Sequence, residues 1–239
     1  MRRFFLNLPR RLFLLAMLAG SALITLASLV YFDFGALPPF VIEKLPLKFE
    51  ALWLASLRVH VASALVSLPL CLVLMTKTIQ RFPTWHRWLG RVAGVLVLFA
   101  LVPSGIVLAF DAKGGLPVTA GFLLSGAIVA FCIVRGVTAI RRRDLVTHRR
   151  AMRHVVAQMT VAVTSRVLIV GLDAAGMDPG IAYVIALWGP VLLHALVAEL
   201  VSQRPKFSPV LERIRREVSP PVSMARVRSL FRPVARLGR

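Results

Sequence analysis

Two copies of one basic motif carry the clearest chemical signal in this 239-residue sequence: His86-Arg87 followed by Arg91, and His148-Arg149 followed by Arg153. Each reads H-R-x-x-x-R and opens a long apolar run. The spacing puts Arg87 with Arg91, and Arg149 with Arg153, on one helical face. Cations at a helix N-terminus oppose the macrodipole, and the first N–H groups there lack helical partners. An anion would satisfy both. Arg87, Arg91, His148, Arg149 and Arg153 are therefore candidate ligands for a lipid headgroup or another anion. Topology signals resting on lipid phosphates explain the same arginines, although topology needs no histidine.

A second set lies inside the apolar runs, where a charge costs a few kcal/mol or more. Arg58, His60 and Arg166 fall at matching depths from the end opposite the motifs. On a helix, His154, Gln158, Ser165 and Arg166 share one sector of about 120°, a stripe expected to face the bundle. Asp111 and Asp173 are the expected counter-ions. This set reads either as an internal salt bridge or as a polar cavity with surplus positive charge.

Five histidines in such a chain raise haem b, usually held by His from facing helices. His154 and His194 differ in predicted height by roughly 6 Å, and His60 and His194 by roughly 9 Å. His86 is interfacial and could bind only at the edge. Glu199 is the single carboxylate placed inside a span, which argues against cation-coupled transport. No catalytic Ser-His-Asp, paired-carboxylate, Cys-x-x-Cys, Gly-rich phosphate-loop or His-Glu-x-x-His pattern is readable.

Long apolar segments must position these residues. The chain is 58% hydrophobic and 17% charged, against about 45–50% and about 25% for soluble domains. Six runs suffice for the roughly 20 residues of a membrane-spanning helix: 12–31, 53–76, 88–110, 118–140, 155–172 and 181–201. Lys and Arg concentrate at the N-terminus, in the second–third and fourth–fifth connections and in the tail, which predicts both termini cytoplasmic. The net charge of +20 lies in blocks between apolar runs, so it points to anionic membrane lipid rather than nucleic acid. Cys71 and Cys132 read as small core residues. The N-terminal run resembles a signal segment but continues to Tyr31, which favours a retained first helix. Pro69, Pro103 and Pro190 predict interrupted helices. Phe40–Glu50 and the amphipathic Val210–Val218 are expected on the membrane surface. The division is a membrane domain over 1–203 and a basic, partly disordered tail over 204–239.

His60, His86-Arg87-x-x-Gly90-Arg91, Arg141-Arg142-Arg143-Asp144, His148-Arg149-Arg150-x-Met152-Arg153 and Arg166 together resemble the bacterial membrane family called domain of unknown function (DUF) 2306, over about residues 53–172. The resemblance implies a multi-pass protein of the bacterial cytoplasmic membrane and singles out His60, His86, His148, Arg153 and Arg166. It brings no assigned activity. The family pattern has an aromatic residue where this chain has Ala151. The expectation is an all-α, six-helix bundle, N-in and C-in, that binds an anionic ligand. A haem- or quinone-linked redox protein and a small-solute transporter are the alternatives.

Overall fold

The computed structural model describes residues 2–33 and 38–203, with side chains from Arg11 onward. Arg2, Arg3 and Arg10 as side chains, the tail 204–239 and its Val210–Val218 segment lie outside the described residues.

All regular structure among the described residues is helical. Helix α1 (Arg2–Ser28) ends in a 3-10 turn, and short α2 (Pro39–Ile42) precedes α3 (Glu50–Leu74). A short α4 (Lys77–Gln80) leads into α5 (Pro83–Leu96), a π-helical turn over Val97–Leu101 and α6 (Val102–Phe110). Then follow α7 (Gly115–Arg141), α8 (Leu145–Ala174) and α9 (Pro179–Gln203). Six segments are long and apolar enough to cross a membrane, with α5, the π turn and α6 forming the third. All six expected spans are present, several a few residues longer than the apolar runs.

Local chemistry sets the boundaries. The Asp144 carboxylate accepts hydrogen bonds from the N–H groups of Val146 and Thr147, each at 3.0 Å, and starts α8. Asp178 does the same for α9 through Gly180 and Ile181. The turn between α6 and α7 runs through Gly114 at φ 102°, a conformation that disfavours side chains. Pro103 cannot donate a backbone hydrogen bond, and it stands two residues after the end of the π turn at Leu101. Pro69 and Pro190 differ from expectation: α3 and α9 continue through both. Neighbouring helices satisfy such sites without a break.

The core runs along the middle of the bundle, where Leu68 and Leu72 of α3 meet Val97, Leu101, Ile133, Val155 and Met159. Small residues permit the closest approaches, since packing rather than the hydrophobic effect joins helices in lipid. Gly136 of α7 faces Ala151 and Met152 of α8, and Gly20 of α1 faces Val163. The Phe40–Glu50 segment is anchored, not loose. Val41 is 1% exposed and packs with Trp53 and Leu57 at the start of α3.

Candidate functional site

At the end of the bundle far from the twin motif, His60 of α3 crosses to the third span. Its Nδ1 lies 3.1 Å from the Leu101 carbonyl and 3.3 Å from Ser104 Oγ. The Ser104 hydroxyl itself donates to the Ala100 carbonyl at 2.6 Å. A carbonyl only accepts, so Nδ1 carries a proton. The bond is made to the last residue of the π turn, a type of irregularity found frequently at functional sites.

Two arginines border the same region. Arg58 Nε donates to the Tyr31 carbonyl at 3.3 Å, tying α3 to the end of α1. Arg166 is exposed beside a groove of about 280 Å³ formed with Leu23, Ile24, Ala27, Ser28 and Tyr31 of the first span. Its guanidinium donates to the Ala162 carbonyl at 2.9 Å, one turn back in its own helix. It forms no ion pair among the described residues. The helices that carry the two residues, α3 and α8, pack against each other.

Two expectations are corrected here. Arg166 leaves the inward stripe: Gln158 is 3% exposed, but Arg166 sits about 80° further round the helix, enough to face α1 instead of the α7 and α9 seam. Nor does Asp111 act as its counter-ion, because Asp111 lies beside Lys44, whose Nζ donates to the Asp111 carbonyl. Asp173 is also no partner; it stands about two turns beyond Arg166 on the same helix. A larger cleft, about 500 Å³, lies at this end between Phe40, Glu43, Lys44 and Lys113 and the Asp111 turn. It carries two cations against two carboxylates, Glu43 being 3.5 Å from Lys113. The smaller groove is therefore the one with unbalanced charge.

At the motif end, the two copies come together through their histidines. His148 Nδ1 bonds the Gly136 carbonyl at 2.9 Å, and His148 is close enough to act electrostatically on His86. His86 Nδ1 is buried without a hydrogen-bond partner. The arginines do not converge as the spacing suggested. Arg87 donates to the Pro83 carbonyl at 3.2 Å, Arg153 to Ser202 Oγ at 3.2 Å, and Arg91 and Arg149 are exposed. The backbone amides expected for an external anion are closed at one of the two helices. That holds for α8, where Asp144 takes the N–H groups of Val146 and Thr147; at α5, Pro83 lacks an N–H and no side chain caps the rest of the first turn.

Arg150 is the functional pairing that sequence reasoning missed. It forms a two-pronged ion pair with Glu199 of α9, one contact at 3.0 Å, and His154 Nε2 lies 3.2 Å from the same carboxylate. The signal was present: a lone acid inside a span demands a cation, and Arg150 and His154 stand four apart on one face.

The same contacts test the haem reading. His154 Nε2 is engaged by Glu199, and His194 Nδ1 bonds the Ala157 carbonyl at 2.8 Å with Thr160 Oγ1 at 3.2 Å. Gln158 fills the seam, accepting from Ser125 at 3.0 Å and donating to the Val191 carbonyl at 3.0 Å. Gln158, Thr160 and Val191 are all buried, leaving no gap for a porphyrin between these helices. His60 reaches the third span at Leu101, about 22 Å along it from His86. The residues do not fit a bis-His haem.

The family model described as "Predicted membrane protein (DUF2306)" matches residues 57–202. The match extends past the motif-bearing helices to include α9. Neither the curated proteins nor the solved structures gave a match to the chain.

Proposed function

We propose that this chain, which belongs to the DUF2306 family of predicted membrane proteins, binds an anionic amphiphile in the groove between α1 and α8. The observation that carries this reading is Arg166: an intramembrane guanidinium, exposed to an apolar groove, with no acidic partner among the described residues. A charge at that depth is expensive unless paired. A lipid-like ligand would supply the missing anion at Arg166 and lay its chain on Leu23, Ile24 and Ala27. The setting is a bacterial inner membrane with both termini cytoplasmic, as the Lys/Arg distribution favours. The groove then opens toward the outer leaflet. A reporter fused after Arg239 should read cytoplasmic.

The test is lipid retention by the full chain, purified in detergent and read by native mass spectrometry. Wild type should retain anionic phospholipid, and Arg166→Gln should lose most of it. Equal retention by the two proteins would overturn the reading.

A second contact with headgroups at the motif end is favoured by one observation, the buried His86 Nδ1 that has no hydrogen-bond partner. Arg91→Gln with Arg153→Gln should then weaken retention further. Redox and transport readings have less support. Haem has no room between His154 and His194, whose seam Gln158 and Val191 fill, and Glu199 is tied to Arg150 and His154.

A further inference from the structure

We infer that the cleft of about 500 Å³ at the end of the bundle far from the twin motif holds a zwitterionic headgroup, a phosphate diester that carries a primary ammonium. This site is separate from the groove between α1 and α8 and does not depend on it.

The lining sets the charge pattern of the ligand. Lys44 and Lys113 share the cleft with Glu43 and Asp111. A lone anion would meet two carboxylates there, and a lone cation two ammonium groups, so either is repelled as well as attracted. A ligand with both signs gives each group its opposite. The four charges do not already satisfy one another. Lys44 Nζ donates to the backbone carbonyl of Asp111, and the Asp111 carboxylate enters no ion pair among the described residues. Glu43 and Lys113 stand 3.5 Å apart, beyond the roughly 2.7–2.9 Å of a tight charge-assisted bond, and both side chains are more than half exposed. Such a pair contributes little and is readily exchanged for contacts with a ligand. The two free oxygens of a phosphate diester accept from Lys44 and Lys113, and the three N–H donors of an ammonium serve Asp111 and Glu43.

The place of the cleft selects a lipid headgroup within that class. It is built on two connections between spans, the segment before α3 and the turn between α6 and α7. In the first of these, Ile42 and Phe49 are 58% and 66% exposed, as large apolar side chains are where a segment rests at the headgroup level. Phe40 and Leu47 give the cleft an apolar wall for the carbons between phosphate and ammonium. Both sides are fixed in advance. Phe40 packs on the buried Trp53 with ring centres 6.5 Å apart, and Thr119 donates to the Ala109 carbonyl at 2.7 Å, tying the end of α6 to α7. Little ordering is then lost on binding.

Glycerophosphoethanolamine, its analogue glycerophosphoethanol, which lacks only the ammonium, and ethanolamine separate the cases. Each can be titrated against the full chain in phosphatidylglycerol nanodiscs and read by saturation-transfer NMR. Wild type should bind the zwitterion more tightly than either other probe by on the order of tenfold, the worth of one charge-assisted hydrogen bond. Asp111→Asn keeps the backbone carbonyl that Lys44 uses and removes the carboxylate, so the zwitterion should fall to the level of glycerophosphoethanol. Equal binding of either single-charge probe by wild type, or an undiminished preference in Asp111→Asn, overturns the inference. The wild-type comparison stands even if the variant fails to fold. In phosphatidylethanolamine nanodiscs the lipid should occupy the cleft and suppress the signal of added glycerophosphoethanolamine. An unchanged signal there would overturn the lipid source.

Discussion

Gly105 gives His60 the room to reach the third span: a Cβ at position 105 would stand 3.1 Å from the ring's Cε1 and 3.3 Å from Nδ1. The ring cannot simply retreat, because its Nδ1–H is held by Leu101 and Ser104. Gly105→Ala should therefore lengthen that bond and strain the α3–α6 contact, lowering stability by about 1–2 kcal/mol. Gly126→Ala is the control, since nothing lies within 4 Å of its Cβ. Thermal unfolding in detergent should show a fall for the first and none for the second. Equal midpoints would mean that the His60 ring is not confined.

Glu199 serves two partners, Arg150 and His154, on the facing helix. Arg150 is about half exposed, so its loss alone should be modest, about 0–1 kcal/mol. Glu199→Gln leaves both partners without their charge and should cost more, about 1–3 kcal/mol. A double-mutant cycle of Glu199→Gln and Arg150→Gln should show coupling. Strict additivity would mean that the pair does not hold α8 to α9.

The helices and their order were legible because spans of about 20 apolar residues leave few alternatives. Registers within the bundle were not. Helical phase placed His154 and Gln158 inward correctly, yet missed Arg166, because a turn of about 80° decides between two neighbouring helices. Spacing placed Arg149 and Arg153 together, but nothing local distinguishes Arg149, which is exposed, from Arg150, which finds Glu199 forty-nine residues away. The same limit applies to Asp144. Its place before Leu145 marks a helix cap, and only the geometry shows it taking the amides once assigned to an external anion.

Lys44 lies outside the spans, and burial holds its pKa below the ordinary 10.5. Asp111 pulls the other way and Lys113 adds to the lowering. The folded value is thus below the unfolded one, so at neutral pH the protonated amine works against folding. That penalty shrinks as pH rises through the folded value and is gone above 10.5. Wild type should gain stability relative to Lys44→Met between neutrality and that limit. The gain should be small, because the amine is largely solvated. Unfolding midpoints of the two proteins measured across this range should diverge in that direction; parallel curves would contradict it.

Ala151 is 3% exposed, and a Cβ added at Gly136 would come within 3.3 Å of its methyl group and 2.4 Å of Met152 Cε. The α7–α8 seam is thus closed around a small side chain at Ala151. His148 depends on the same closeness, since its Nδ1 bonds the Gly136 carbonyl at 2.9 Å. Met152 Cε is the free end of a flexible side chain and can move, whereas the Ala151 methyl is fixed to the backbone. Introducing an aromatic by Ala151→Trp should therefore push the helices apart, break the His148 bond and lower stability by about 1–3 kcal/mol. Gly136→Ala, which moves the flexible Met152 end and asks only a few tenths of an ångström of the Ala151 methyl, should cost less. If Ala151→Trp is as stable as wild type, the seam can open without penalty and the small residue is not what sets its width.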